Sequence, residues 1–140
     1  MKNYQLTDRD GNVFVILRKD DDKPYLYVQF LGNIKVEEMK RIMSISVDFP
    51  DELKCAYILT DRRKSTGNLY ELGHYIENKW ASAAAEFGIR CIANITSADA
   101  SSAFTSKDLE SRILGFEFRS FKSFEEADKW LIERAMHTNH

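Results

Sequence analysis

Ala56-Tyr57-Ile58-Leu59-Thr60-Asp61-Arg62-Arg63-Lys64-Ser65-Thr66-Gly67-Asn68 decides how this chain is read. An apolar run gives way to three consecutive cations, two hydroxyls and a Gly-Asn pair. The pattern predicts a buried strand, then a basic and hydroxyl-rich loop, then the start of a long helix. An open α/β sheet places its ligand site there, at the carboxyl end of a strand facing a helix N-terminus.

Working outward, Asn68 is a good N-cap with Glu71 three residues on, which completes a capping box. Leu69, Leu72, Ile76, Trp80, Ala83 and Phe87 form one apolar stripe, and Gly88 ends the helix. Ile89 to Ile95 reads as a second buried strand. A polar stretch with Ser97, Asp99, Ser101, Ser102, Thr105 and Ser106 leads to a helix ending near Gly115. Phe116 to Phe121 alternates strictly, so it has one wet face and belongs near an edge. The last helix starts at Ser123, with Glu126 closing a second capping box and Phe124, Ala127, Trp130 and Leu131 on the core side.

Upstream, Val13 to Arg18 and Tyr25 to Leu31 are β-branched and aromatic strands joined by the turn Lys19-Asp20-Asp21-Asp22-Lys23-Pro24. Asp10-Gly11-Asn12 marks an earlier turn, so Tyr4 to Thr7 is expected as a short edge strand. Val36, Met39, Ile42 and Met43 recur at helical spacing until Pro50 blocks continuation. The expected fold is therefore α/β. A mostly parallel central sheet carries an N-terminal antiparallel hairpin and about four helices, in a single domain over 1–140.

Composition is that of an ordinary globular protein of 140 residues with net charge −2. That balance creates no global field for nucleic acid or an anionic membrane. No apolar run approaches the roughly 20 residues that span a bilayer. The first residues lack the apolar segment of a signal peptide, so a cytoplasmic protein is expected. Cys55 and Cys91 read as free core thiols. The aspartates at 20–22 lack the glycine and distal glutamate of an EF-hand, and His74, His137 and His140 do not have zinc-ligand spacing. No cofactor or metal is expected. No nucleophile elbow, phosphate-binding glycine loop or zinc-protease motif is present, which leads away from an enzyme.

The order and spacing of four segments resemble the SpoIIAA-like, or STAS-like, domains of bacteria. These are Tyr27-Val28-Gln29-Phe30-Leu31-Gly32, Ile58-Leu59-Thr60-Asp61-Arg62-Arg63, Ile89-Arg90-Cys91-Ile92-Ala93, and Phe116 to Phe121 followed by Glu125 to Leu131. That superfamily joins the anti-sigma-factor antagonists to small stand-alone proteins related to CRAL-TRIO lipid-binding modules. The resemblance implies a non-enzymatic regulatory or interaction module. In the antagonists a phosphorylatable serine precedes a glycine at the start of the second helix, and Ser65-Thr66-Gly67 occupies that place. The family pattern has an aspartate directly before the serine, where this chain has Lys64.

The segment Asp61, Arg62, Arg63, Lys64, Ser65 and Thr66 supports three readings. It could be a solvated loop with Asp61 paired to an arginine and a hydroxyl capping the helix. It could be a site for an anion or an acidic protein partner, held by guanidinium forks. It could be a phosphorylation site at Ser65 or Thr66. A module of this type could also form a homodimer. The first rival function is a carrier of a lipid or other amphiphile, with Tyr25, Tyr27, Phe30, Tyr57, Tyr70, Tyr75 and Trp80 lining its cavity, and the second is an enzyme of a kind its motifs do not announce.

Overall fold

The computed structural model describes residues 2–46, 55–66, 84–86, 88–96 and 115–137. Their strands are β1 (Lys2–Thr7), β2 (Val13–Lys19), β3 (Leu26–Asn33), β4 (Tyr57–Thr66), β5 (Cys91–Ile95) and β6 (Glu117–Phe121). They form one six-stranded sheet in strictly sequential order. The pairs β1–β2 and β2–β3 are antiparallel, and the next three pairs are parallel. Beside helices α1 (Val36–Ser46) and α2 (Phe124–His137) there is a short helical stretch at 84–86, so helix occurs at three places among the described residues, against the four or so expected. The expected helix from Asn68 to Phe87 lies outside the described residues except for 84–86. The same holds for the polar stretch from Ser97 onward.

The two faces of the sheet bury different sets of side chains, as the period of two along a strand requires. One face packs Val15, Leu17, Leu26, Val28 and Phe30 against Met39 and Ile42 of α1. Ile58 and Phe118 continue that layer toward Ala84, Ile89 and Ile92. The other face packs Leu59, Cys91, Ala93 and Ile95 under Ala127, Trp130 and Leu131 of α2. Every residue of β5 is buried, as expected of a parallel strand covered on both sides. β6 alternates exposed and half-buried residues and lies at the sheet's end.

The sequence explains these elements locally. The Ser123 hydroxyl accepts the Glu126 amide at 3.3 Å, so the last helix is capped where expected. Lys23 and Tyr25 fasten the same helix to β3. Their Nζ and hydroxyl donate to Asp128 Oδ1 at 3.0 and 2.5 Å. Gly32 takes φ +76, a left-handed turn out of β3 toward α1 that a side chain would strain. Both cysteines are free, with Cys91 buried in β5, whereas Cys55 precedes β4 and is half-buried.

Candidate functional site

The basic segment is not a loop. β4 runs to Thr66, so Asp61 through Thr66 are strand residues, and this corrects the expectation of a solvated connection. The charges misled because exposed cations at a strand end look the same in sequence as a loop. β3 runs alongside them as far as Asn33, and Ile34 donates its amide to the Thr66 carbonyl at 2.9 Å. A pairing partner that far along keeps the chain extended.

The pairing is irregular. Gln29 stands opposite Asp61, but Leu31 stands opposite Lys64, so Arg62 and Arg63 together face the single residue Phe30. This is a β-bulge, an extra residue that reorients everything after it. A side-chain cluster holds it. Asp61 Oδ1 accepts the Arg63 backbone N–H and Nε, each at 3.0 Å. Oδ2 accepts Arg63 Nη2 at 2.8 Å and the Tyr27 hydroxyl at 2.5 Å. Four donors saturate a carboxylate that is 1% exposed. The Arg18 guanidinium lies 4.8 Å over the Tyr27 ring, and Phe124 of α2 meets that ring edge-on at 6.2 Å.

The predicted site residues therefore divide. Arg62 is 2% exposed and Ser65 3% exposed, both buried rather than presented to solvent. Arg62 is itself partnered, and the Ser65 hydroxyl donates to the Arg62 carbonyl at 3.1 Å. Arg63, Lys64 and Thr66 are exposed. The Thr66 hydroxyl reaches Asn33 Oδ1 at 3.4 Å. The parallel pairing of β4 with β5 brings Thr60 beside Asn94, whose Oδ1 accepts the Thr60 hydroxyl at 2.7 Å. Pairing of Asp61 with an arginine, one of the expected arrangements, is present.

The electrostatics fit a rigid anchor rather than a reactive centre. Burial alone would raise the Asp61 carboxyl, but the Arg63 guanidinium, the Tyr27 hydroxyl and the Arg63 amide outweigh it and hold the group below its ordinary value. Burial, and then the bond to Asp61, push the Tyr27 phenol up to about 12. The bond to Asp61 raises Arg63 further above its already high value. Burial, with Glu117 nearby, pushes the Cys91 thiol up to about 11, away from thiolate chemistry. Each of these groups sits far from a neutral pKa, so none is poised to exchange a proton near neutrality. No group of three acidic, histidine or cysteine side chains with metal-holding geometry occurs among the described residues.

Sequence reasoning missed Tyr27, Arg18, Thr60 and Asn94 as parts of this cluster. One signal was available. Asp61 and Arg63 are two apart, so in a strand they share a face, and an aspartate readily accepts the amide two residues on. The register that brings Tyr27 to Asp61 is not written in either segment alone. Of the aromatics expected to line a cavity, Tyr25 and Tyr27 spend their hydroxyls on Asp128 and Asp61, and Phe30 is core. Tyr70, Tyr75 and Trp80 lie outside the described residues.

A sequential mixed sheet, parallel from β3 onward, with α1 and α2 on opposite faces defines a SpoIIAA-like α/β fold, and solved structures agree. An uncharacterised DUF3478-family protein with a SpoIIAA-like fold, from Shewanella loihica PV-4, superposes with a TM-score of 0.50 at 16% identity. The match covers 84% of this chain and 91% of that one. An anti-sigma factor antagonist from Mycobacterium paratuberculosis superposes with a TM-score of 0.52 at 11% identity, covering 91% of this chain and 99% of that one. No protein-family profile and no curated protein sequence matches the chain. The fold is thus that of the STAS/SpoIIAA-like domains. No described helix is long and apolar enough to cross a membrane.

Proposed function

We propose that this protein is a non-enzymatic regulatory module of the STAS type that works by binding a protein partner through the carboxyl end of β4. The observation that supports this reading is the division of labour there. Asp61, Arg62 and Ser65 are internal, Arg63 is exposed but folded onto Asp61, and Lys64 and Thr66 are exposed at a strand end held by the Asp61 cluster. Pre-ordered donors lose less freedom on binding. Outward cations favour an acidic patch on the partner. One structural neighbour is an anti-sigma factor antagonist, which agrees with a protein partner. If phosphate regulates the contact, the outward hydroxyl is that of Thr66, beside Lys64, because the Ser65 hydroxyl is buried.

Lys64→Glu combined with Thr66→Glu tests the reading. Both positions are exposed, so the variant should unfold at the temperature of the wild type. It should lose the partner that the tagged wild-type chain captures, and wild-type binding should weaken as salt rises. A variant that binds its partner with unchanged affinity and salt dependence would move the contact surface elsewhere. Native mass spectrometry of the purified chain addresses the carrier alternative, which requires a co-purifying amphiphile.

A further inference from the structure

The bulge does more than interrupt the ladder: it selects which side chains the end of β4 presents. With two residues opposite Phe30, Lys64 stands against Leu31, Ser65 against Gly32 and Thr66 against Asn33. In flush pairing beyond Asp61, Lys64 would stand against Gly32 and Ser65 against Asn33. A slip of one residue sends each side chain to the opposite face. Ser65 would turn outward, and Lys64 would turn toward the face where Ser65 is now buried. The site would present a different chemical set from the same six residues.

We propose that Asp61, clamped by Arg63 and Tyr27, is the positioning residue that sets this register, so that it decides which of Lys64, Ser65 and Thr66 face outward. The cluster is built around the extra residue. Asp61 lies just before the bulge, and Arg63 within it gives Asp61 its backbone N–H, Nε and Nη2. Tyr27, on the adjacent strand, ties the same carboxylate to β3. The clamp therefore grips both strands at the place where their registers diverge. Downstream, the Ser65 hydroxyl bonded to the Arg62 carbonyl and the Ile34 amide bonded to the Thr66 carbonyl complete the bulged arrangement.

This inference deepens the proposed binding function, since Lys64 and Thr66 are its outward groups, but its test needs no partner. Ser65→Cys and Lys64→Cys are each made with Asp61 intact and with Asp61→Asn. Alkylation by iodoacetamide is followed at each cysteine by peptide mass spectrometry. Cys91, buried in β5, reports loss of the fold in the same sample. With Asp61 intact, the cysteine at 64 should react and the one at 65 should be protected. Asp61→Asn should speed labelling at 65 by about tenfold or more and slow it at 64, with Cys91 still protected. These opposite signs separate a register change from fraying, which would speed both. No change at 65, or a rise at both positions with Cys91 protected, overturns the proposal. If Asp61→Asn exposes Cys91, Tyr27→Phe takes its place, since it removes one hydrogen bond and keeps the ion pair. It should produce the same opposite-signed change at smaller size, and its failure to do so also overturns the proposal. A failure of partner binding leaves this result unaffected, so the two readings fail separately.

Discussion

Removing Arg63 should cost more than removing Asp61, although the two form one ion pair. The reason is the unequal burial of the partners: the Asp61 side chain is 1% exposed and that of Arg63 47%. Arg63→Met takes away Nε and Nη2 and leaves a buried carboxylate with only the residue-63 amide and the Tyr27 hydroxyl. Stranding a buried charge costs about 3–5 kcal/mol, and the two remaining donors put this case near 3. Asp61→Asn strands a cation that can turn to water, so about 1.5–2 kcal/mol is expected from the lost charge-assisted bonds. The double variant should cost less than the sum, by about 1–2 kcal/mol, because the stranded charge is gone. The pH dependence follows from the carboxylate. The folded Asp61 pKa is depressed, so its contribution is present above the unfolded value near 3.8 and lost as pH falls through the lower folded value. In Arg63→Met the carboxyl loses the strongest of the groups that hold it down, so it should titrate higher than in the wild type and the penalty should shrink on going from pH 7.5 to pH 4.5. Urea unfolding at the two pH values, followed by tryptophan fluorescence, measures all of this. An Arg63→Met cost below about 1 kcal/mol, or one smaller than that of Asp61→Asn, would refute the account of Asp61 as a buried, saturated anchor.

Alkali should unfold the protein through the phenols of Tyr25, buried, and Tyr27, half-buried. Tyr25 and Tyr27 have raised folded pKa values, so their contribution is full below the unfolded value near 10 and is lost as pH rises beyond it. Absorbance at about 295 nm should show a late-ionising phase, and Tyr25→Phe with Tyr27→Phe should remove it. In the core, Leu131→Ala should cost about 2–5 kcal/mol by urea unfolding, since Leu131 is fully buried where α2 meets the sheet. A cost below about 1 kcal/mol would mean that α2 is not seated on β4 and β5.

The sequence was most legible where local chemistry and burial agree. The capping box at Ser123 and the spacing of Ala127, Trp130 and Leu131 located α2 and its buried side within a residue. The alternation of Phe116 to Phe121 marked an edge strand, and β6 is the sheet's end. The segment proposed as the site was misread as a loop. Its charges, taken alone, favour a loop, and what makes it strand is β3 lying alongside, a contact between residues more than 30 positions apart. The bulge was invisible for the same reason, because an extra residue is defined only against a partner strand. Arg62 shows the limit most plainly. Nothing in Arg62-Arg63-Lys64 says that the first arginine is buried while the other two are exposed, since that depends on the register set at Asp61.

The strictly sequential strand order has a consequence for how the chain can assemble as it is synthesised. Each strand pairs with the one made just before it, so the sheet can grow from β1 to β6 without waiting for a distant partner. The face formed by Leu59, Ala93 and Ile95 is the exception, because α2, which covers it among the described residues, follows β6. Until that helix emerges, this greasy half-sheet lacks the cover that α2 gives it. Proteolytic loss of α2, or a ribosome stalled just short of it, would leave that surface open to aggregation or chaperone capture.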